Sequence, residues 1–394
     1  MAFIDEVDLQ GKSVLLRLDL NVPLQDGSIQ DDSRIRAAMP TIEYLLERAD
    51  KLVVCSHLGK PKGKRVPELS LQPVAEHLSQ LLGREVKFAP DCVGDQVRGM
   101  IQELPQGEVL LLENLRFHSG ETDNDPQFSS ELGSLAEVYV NDAFGVVHRA
   151  HASVAGVVQH VQTACAGFLI QKEWSYLSKA LASPERPFVL VSGGAKVSSK
   201  LGLLHNLMTR VDRILIGGAM ATTFRKAEGY PVGASAVEED LIKQAGDTLQ
   251  SAYQKGISLY LPVDYMMGPS PDAEKTYGVF PFQDIRSDAM ILDTGPATHT
   301  LFSEVLKDAG TVVWNGPMGA FENPTYSQGS VGLAQTMGNL DALTIAGGGD
   351  TDSLIHRCGV QDQIDFISTG GGSFLELMEG KELPGLKALG IAVQ

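Results

Sequence analysis

Basic side chains gather in two stretches of an otherwise acidic chain. Residues 51–65 and residues 143–160 are rich in lysine, arginine and histidine and contain no acidic residue. His57, Arg116 and Arg149 each follow an apolar run that predicts a strand. The carboxyl ends of parallel strands form the ligand-binding edge of an open sheet, so these three side chains should converge. Guanidinium groups bind phosphates and carboxylates through paired hydrogen bonds, which favours a ligand carrying both. The alternative for each residue alone is a solvated surface charge.

Five glycine-rich turns in the second half of the chain indicate a nucleotide site. Each turn follows a predicted strand, where glycine lets the backbone approach a ligand and the next helix offers unpaired N–H groups to an anion. One such turn is more often simple turn chemistry, whereas five along one sheet edge describe a site for a nucleotide. They are Gly193–Gly194, Gly217–Gly218, Gly316–Gly319, Gly347–Gly349 and Gly370–Gly372.

Three charged residues beside these turns could act on a phosphate chain and its cation. Asp350 directly follows three glycines and is the best candidate ligand for Mg²⁺, which takes one or two carboxylates when it is bound to a nucleotide. The alternative is that Asp350 caps a helix beginning at Thr351. Lys196 and Lys200 are four residues apart and are predicted to share one face of a first helical turn. Their alternative is a pair of solvated helix lysines.

Short apolar runs alternate with helical patterns along the whole chain. Uninterrupted apolar runs suit strands that are buried on both faces of a parallel sheet, and their alternation with helices predicts an open α/β fold. Nine such runs are too many for one comfortable sheet, so we expect two sheets in two domains. The predicted strands are residues 14–18, 52–55, 109–112, 138–140, 188–191, 214–216, 311–314, 343–346 and 366–368.

Two helices are predicted from apolar spacing. Residues 71–82 place apolar side chains on one face, with Ser70 as a candidate N-cap and Gly83 just beyond the end. A second amphipathic helix, whose apolar stripe runs from Ile170 to Leu181, precedes two prolines and a new strand at Phe188. This second helix is predicted to join the two domains. The alternative is a surface helix within one domain.

Composition excludes several classes of protein. The chain has 394 residues, 43% of them hydrophobic and 21% charged, which is the profile of a globular protein of about two domains. Its four cysteines are widely spaced without a CxxC pair, so we expect free and mostly buried thiols. A net charge of −17 argues against binding to nucleic acids or acidic membranes. No apolar run predicts a membrane helix and no secretory signal is evident, so we expect a cytoplasmic location.

Eight short motifs resemble phosphoglycerate kinases in their order and spacing, from about residue 3 to residue 390. They are Arg17–Pro23, Ser56–Pro61, Glu113–Phe117, Asp142–Arg149, Gly193–Val197, Trp314–Glu322, Gly347–Thr351 and Ser368–Gly372. The resemblance implies two open parallel-sheet, Rossmann-like domains that face each other across a cleft and are joined by a helix. Residues 1–169 would bind 3-phosphoglycerate or 1,3-bisphosphoglycerate, residues 170–186 would form the helix and hinge, and residues 187–380 would bind MgADP or MgATP. Residues 381–394 would pack back on the first domain, and the family implies a monomer.

The resemblance also implies roles on the triose side. Asp19 and Asn21 would contact the hydroxyl and carboxyl region of the glycerate. Basic residues would surround the triose phosphates, and one of them, Arg34, would also face the transferring phosphoryl group. The basic residues are Arg34, His57, Arg116 and Arg149. Lys60 stands where the family commonly has arginine, and lysine keeps the charge but loses the fork, so a bidentate contact there is not expected.

On the nucleotide side, Lys196 and Lys200 would contact the phosphate chain. Asp350 would be the Mg²⁺ ligand, with Thr351 beside it. Asn315 and Glu322 would contact the ribose and the nucleotide. The walls of the adenine and ribose pocket would be Gly217, Gly218 and Pro317. Gly348 and Gly349 would form the nucleotide-binding turn before Asp350.

The implied reaction needs no general base. Its acceptor is a carboxylate that is already ionised at pH 7, so Asp19 is better interpreted as a positioning group. The site must supply in-line geometry and must neutralise charge on a loose transition state. Arg34, Lys196, Lys200, Mg²⁺ and the N–H groups around Gly371 are the expected suppliers. A nicotinamide-dependent dehydrogenase would need a GxGxxG turn, which is absent. If the chain were a non-catalytic binding protein, we would expect substitutions at the charged positions of the site.

Overall fold

Two six-stranded parallel sheets form the framework of the protein. The computed structural model describes residues 2–392. These divide into two units, of which one runs up to Ser175 and includes the segment from Glu382, and the other is Tyr176–Lys381. One parallel sheet lies in each unit, with helices between successive strands. The predicted class, two parallel-sheet α/β domains, is confirmed.

The first unit holds the sheet with the strand order β5-β6-β4-β1-β7-β8 and a small ribbon of β2 and β3. Its central strands are buried on both faces, which explains their uninterrupted apolar sequences. The strands are β1 (Ser13–Arg17), β2 (Leu24–Gln25), β3 (Ser28–Ile29), β4 (Lys51–Cys55), β5 (Val86–Phe88), β6 (Val109–Leu111), β7 (Val138–Asn141) and β8 (Thr163–Ala166).

The second unit holds the parallel sheet with the order β11-β10-β9-β15-β16-β17 and a three-stranded antiparallel sheet with the order β13-β12-β14. The antiparallel sheet lies outside the predicted pattern of alternating strands and helices. The strands are β9 (Phe188–Ser192), β10 (Arg213–Ile216), β11 (Ser258–Tyr260), β12 (Asp264–Gly268), β13 (Gly278–Pro281), β14 (Met290–Thr294), β15 (Thr311–Asn315), β16 (Leu343–Gly347) and β17 (Phe366–Ser368).

The α-helices connect these strands. They are α1 (Ser33–Leu46), α2 (Gln72–Leu82), α3 (Asp95–Gln102), α4 (Ser119–Asp123), α5 (Pro126–Gly133), α6 (Phe168–Ala182), α7 (Leu201–Leu207), α8 (Met220–Ala227), α9 (Ile242–Gln254), α10 (Pro296–Leu306), α11 (Gln328–Gly338), α12 (Gly349–Cys358), α13 (Gly372–Met378) and α14 (Pro384–Ala388). No helix among the described residues is long and apolar enough to cross a membrane.

All nine predicted strands are present, and each end lies within one residue of its predicted position. The strands that the prediction omitted from the parallel sheets are β5, β8 and β11, and all three are edge strands. An edge strand has one neighbour, so it carries a shorter or weaker apolar run than a central strand.

The cap predicted for α2 is wrong in detail. Leu71, not Ser70, is the N-cap of this helix. The Ser70 hydroxyl still accepts the N–H of Gln72 at 3.3 Å, and it donates to Glu113 Oε2 at 2.8 Å. Gly83 ends the helix with a φ of 63°, the left-handed conformation in which glycine meets no steric penalty.

The helix predicted near the middle of the chain is α6. Its residues Ile170 and Leu177 are fully buried. The carboxylate of Asp142 lies at its first turn, where Oδ1 accepts the N–H groups of Leu169 at 2.8 Å and Ile170 at 3.1 Å. The division between the two units falls inside this helix, after Ser175.

The segment after the second unit belongs to the first. In α14, the N–H of Gly385 donates to the carbonyl of Val147 at 2.8 Å. A Cβ at Gly385 would lie 3.0 Å from Val147 Cα, so only glycine allows this approach. Residues 393 and 394 of the predicted returning segment lie outside the described residues. All four thiols are free, and Cys55, Cys92 and Cys165 are buried.

Candidate active site

Four cationic or imidazole side chains follow the carboxyl ends of neighbouring strands in the first unit. Arg17 is the last residue of β1, and His57, Arg116 and Arg149 follow β4, β6 and β7. Because these strands are adjacent and parallel, the side chains gather at one sheet edge. Burial and the charges of Arg17, Arg116 and Arg34 hold the pKa of His57 well below its usual value. Arg116 is thus close enough to His57 to lower its pKa, as the predicted convergence of these two side chains requires.

Arg17 determines the protonation of His57. An Arg17 guanidinium nitrogen lies 3.2 Å from His57 Nδ1, and both side chains are buried. A guanidinium group can only donate, so Nδ1 must accept and the ring proton must sit on Nε2. His57 is therefore a neutral ring whose Nε2–H is its remaining donor.

A buried carboxylate lies behind this cluster. The Nε of Arg17 donates to Ser153 Oγ at 2.8 Å, and this hydroxyl donates to Glu121 Oε1 at 2.7 Å. The backbone N–H of Ser153 also donates to Glu121 Oε2 at 2.9 Å. Glu121 is fully buried, and its negative charge offsets part of the positive charge at the sheet edge. Arg17, Ser153 and Glu121 were not among the predicted site residues.

Asp19 and Asn21 are held beside Arg34. The guanidinium of Arg34 lies 3.0 Å from Asp19 Oδ2, and its side chain is 40% exposed, which leaves it open to a ligand. Asp19 Oδ1 accepts the Asn21 N–H at 3.2 Å, and Asn21 Oδ1 accepts the N–H of Gly59 at 2.9 Å. These bonds connect the loop after β1 with the turn after β4.

Arg116 is buried, with one hydrogen-bonded nitrogen and one without a partner among the described residues. One of its terminal nitrogens donates to the Gly59 carbonyl at 2.7 Å, while its buried Nε has no hydrogen-bond partner among the described residues. Burial and the nearby Arg149 and Arg17 lower the pKa of Arg116 to about 10. A buried donor without a partner suits an anionic ligand. Arg149 Nε lies 3.2 Å from His148 Nε2, and Lys60 is exposed.

In the second unit, the predicted glycine turns follow five neighbouring parallel strands. The turns after β9, β10 and β15 pack backbone against backbone: Gly194 N–H donates to the Pro317 carbonyl at 2.8 Å, and Gly218 N–H to the Met318 carbonyl at 3.0 Å. Gly218 has a φ of 66°, and a Cβ there would lie 2.5 Å from the Gly194 nitrogen. Glycine is therefore required at Gly218. Gly217 packs against the side chain of Met318.

A largely apolar cavity of about 290 Å³ opens beside these turns. Among the predicted residues, Gly218, Pro317, Glu322 and Asp350 line it. The opposite wall comes from the antiparallel sheet, which sequence reasoning missed, and includes Tyr265, Leu292 and Asp293. Burial raises the pKa of Asp293 to about 7, although its carboxylate accepts the N–H groups of Gly329 and Thr294, each at 2.9 Å. The apolar run Met290–Leu292 was the available signal for this wall.

The lysine pair predicted on one helical turn is corrected by the structure. Lys196 and Lys200 lie in the loop before α7, and Lys200 is the N-cap of that helix. The loop leaves the helical path because Ser198 bonds to Glu238 through both its N–H at 3.1 Å and its hydroxyl at 2.6 Å. Lys196 is exposed, whereas Lys200 is only 8% exposed and donates to Asn315 Oδ1.

The cap predicted as the alternative role of Asp350 is also corrected. Helix α12 begins at Gly349, and its N-cap is Gly348, with a φ of 100°. Asp350 therefore lies within the first turn, exposed on the cavity wall. Burial lowers the pKa of Lys200, and the nearby charge of Asp350 opposes that shift. An exposed carboxylate beside a buried ammonium at a helix N-terminus fits a Mg²⁺ ion that is shared with nucleotide phosphates.

Two further predicted residues hold the turns in place. Thr351 Oγ1 accepts the Gly316 N–H at 2.8 Å, and the Asn315 amide donates to the Gly347 carbonyl at 2.5 Å. Gly371 is the N-cap of α13 with a φ of 43°. The predicted nucleotide residues thus share one sheet edge.

The chain is similar to known proteins over its whole length. A family model described as phosphoglycerate kinase matches residues 4–381. A relative named phosphoglycerate kinase from Maridesulfovibrio salexigens is 51% identical and covers 99% of both chains. The solved phosphoglycerate kinase structure from Coxiella burnetii is 39% identical, with a TM-score of 0.92 over 100% of both chains. That from Pyrococcus horikoshii is 33% identical, with a TM-score of 0.86 over 99% of both. The chain belongs to the phosphoglycerate kinase family of phosphotransferases.

Proposed function

We propose that the chain catalyses reversible phosphoryl transfer from 1,3-bisphosphoglycerate to MgADP, which gives 3-phosphoglycerate and MgATP. The observation that carries the proposal is the cluster of Arg17, His57 and Arg116 at one sheet edge of a chain with a net charge of −17. The two guanidinium groups, the Nε2–H donor of neutral His57 and an Arg116 Nε that has no partner among the described residues together suit a small polyanion.

On the triose side, Arg116, Arg149 and Lys60 bind the phosphate and carboxylate groups of the triose. His57 donates through Nε2–H as a neutral group. Asp19 and Asn21 contact the glycerate hydroxyl and carboxyl region, where they act as positioning groups. Arg34 donates to Asp19 Oδ2 through one terminal nitrogen and turns its other donors to the transferring phosphoryl group.

On the nucleotide side, the apolar cavity takes the base and ribose. Gly217, Gly218, Pro317, Asn315 and Glu322 form its walls and its polar contacts, and the phosphate chain runs along the turns that contain Gly348, Gly349 and Thr351. Lys200 and Lys196 contact the phosphates. Mg²⁺ arrives with the nucleotide as part of the substrate, and Asp350 supplies its protein ligand.

The chemistry follows from charge. The carboxylate that attacks in the ATP-consuming direction is already ionised, so no residue has to remove a proton. Arg34, Lys200 and the N–H of Gly371 neutralise the oxygens of the transferring group, and an arginine in this position is worth roughly 10³–10⁵ in rate. The triose-binding and nucleotide-binding residues belong to different units. We therefore also propose that the two units approach each other when both substrates bind.

The direct test is ATP formation from 1,3-bisphosphoglycerate and MgADP, with the same chain supplied with a nicotinamide nucleotide as the comparison. Turnover in the first assay alone supports the proposal, and no turnover in either assay would leave a binding protein. Small-angle scattering with and without both substrates tests the movement, and an unchanged radius of gyration in a fully active sample would remove it. A monomeric state and a cytoplasmic location stay predictions.

A further inference from the structure

A cluster of three potential metal ligands lies in the first unit, at residues to which the proposed reaction gives no role. Asp91 and Cys92 follow β5, and His118 follows the loop after β6. One ligand atom of each residue, a carboxylate oxygen, the thiol sulfur and a ring nitrogen, lies within 4.8 Å of the others. Cys92 is fully buried, whereas the side chains of Asp91 and His118 are 47% and 32% exposed.

A contact between His118 and Asp91 explains only part of this arrangement. His118 Nε2 lies 2.5 Å from Asp91 Oδ1, so the imidazole and the carboxylate are hydrogen-bonded to each other. The thiol of Cys92 lies beside this pair and takes no part in that contact. The sulfur of Cys92 lies 2.9 Å from the backbone carbonyl of Glu113, its hydrogen-bond acceptor. Together the three side chains place one sulfur, one nitrogen and one oxygen atom near one point.

We propose that Asp91, Cys92 and His118 bind a divalent cation of the zinc class. Thiolate, imidazole and carboxylate are the ligands of Zn²⁺ in proteins, and a water molecule commonly completes a site with three protein ligands. Mg²⁺ prefers oxygen ligands in an octahedron, so this set discriminates against the cation that accompanies the nucleotide.

Binding releases a proton. The thiol must become a thiolate, so its proton leaves to solvent as the sulfur–metal bond forms. Affinity should therefore rise with pH.

The site borders a cavity, and a bound ion would have a structural consequence. A cavity of about 570 Å³ lined by Val93, His118 and Phe128 borders the cluster on the side of His118. A bound ion would tie the loop after β5 to the loop after β6. Arg116 lies in that second loop, two residues before His118.

The experiment uses the intact chain, freed of metal and without nucleotide. Zn²⁺ alone is titrated in competition with a chromogenic chelator, and thermal unfolding is recorded with Zn²⁺ and with Mg²⁺. We expect one equivalent of Zn²⁺, proton release, a rise in Tm that Mg²⁺ does not reproduce, and a thiolate-to-metal absorption band when Co²⁺ replaces Zn²⁺.

Matched variants locate the site. Cys92→Ala and His118→Phe should each weaken Zn²⁺ binding by more than the roughly 10–100-fold that loss of an outer-shell partner costs. Cys165→Ala removes another buried thiol, and His77→Phe removes a histidine that also contacts a carboxylate, with Nε2 2.9 Å from Asp32 Oδ2. Both control variants should bind Zn²⁺ as the parent does.

Each result decides the proposal. Three results would reduce the cluster to a histidine–carboxylate contact beside a buried thiol. They are no Zn²⁺ binding by the parent, parent-like Zn²⁺ affinity in Cys92→Ala and His118→Phe, or a Co²⁺ complex without a thiolate band. His118→Phe keeps an aromatic ring against Phe128, which stacks on His118 with ring centroids 5.0 Å apart. This variant therefore provides a test even if Cys92→Ala does not fold.

Discussion

Replacing Arg17 by methionine should destabilise the first unit and free the tautomer of His57. The guanidinium is fully buried and donates to Ser153 Oγ, to the Leu18 carbonyl and to His57 Nδ1. Two of these acceptors keep other partners: the Leu18 carbonyl accepts Ser56 Oγ at 2.8 Å, and Ser153 Oγ remains bonded to Glu121. His57 Nδ1 loses its partner altogether, whereas Ser153 Oγ loses its donor but keeps its acceptor.

The expected loss follows from these partners. A buried acceptor left unsatisfied costs about 1–3 kcal/mol. Glu121 is also fully buried and loses the cation that is linked to it through Ser153, and removing one partner of a buried charge pair costs about 3–5 kcal/mol. We therefore expect Arg17→Met to lower the free energy of unfolding of the first unit by at least about 3 kcal/mol. Arg17→Lys should lower the free energy of unfolding by less, because lysine keeps the positive charge. It should still lower it, because lysine lacks the forked donors of the guanidinium.

Tryptophan fluorescence can follow unfolding at α6, whose first half belongs to the first unit. The chain has two tryptophans, of which Trp174 lies in the first unit and Trp314 is buried in the second. In a Trp314→Phe background, urea unfolding monitored through Trp174 gives the loss for Arg17→Met. Nitrogen NMR of labelled histidine should show only the neutral Nε2–H form of His57 in the parent between about pH 5 and 8. In Arg17→Met it should show both tautomers and a raised pKa, because a nearby positive charge has gone. A loss under about 1 kcal/mol together with an unchanged His57 spectrum would refute the reasoning.

Three further perturbations test the proposed site and the joining helix. Arg34→Ala should lower kcat by roughly 10³–10⁵ in the coupled assay, with Arg36→Ala on the same helix as control; a change confined to KM would make Arg34 a ground-state binding residue. Asp350→Asn should weaken MgADP binding by about 10–100-fold and shift the Mg²⁺ dependence of the rate, and an unaltered dependence would remove the ligand role. Burial raises the pKa of Asp142 from 3.8 to about 6. Between these two pH values the folded chain holds a proton that the unfolded chain has lost. The contribution of Asp142 to stability therefore falls as pH rises from 3.8 to about 6. Asp142→Asn keeps an oxygen for the first turn of α6 and should remove about 3 kcal/mol of that pH dependence, measured by urea unfolding against the parent; parallel profiles would contradict it.

Central strands could be predicted from sequence because burial on both faces leaves an uninterrupted apolar run. β4 and β15 are examples, with nearly every residue buried. β5 and β11 have three residues each at a sheet edge, where half-exposed positions interrupt the pattern. The antiparallel sheet escaped prediction because the alternation of strand and helix elsewhere favoured a purely parallel arrangement.

The residues of the candidate site also differ in how far the sequence predicts them, for a physical reason. His57 and Arg116 could be predicted because topology places the residues after parallel strands at one edge. Glu121 and Ser153 could not, because they are 32 residues apart and meet behind the site only in the folded unit. The position of Lys196 depends on a contact between Ser198 and Glu238 that is 40 residues apart in sequence, so local helical spacing was a poor guide to it.

The docking of α14 on Val147 has a consequence during synthesis. The segment from Glu382 leaves the ribosome only after the whole of Tyr176–Lys381, yet its packing surface belongs to the unit translated first. The earlier-made half of the chain must therefore wait, with the surface around Val147 uncovered, while the later-made half can complete its own parallel sheet. Nascent chains stalled before Gly385 should expose this surface to proteases and chaperones, and release of the last residues should protect it.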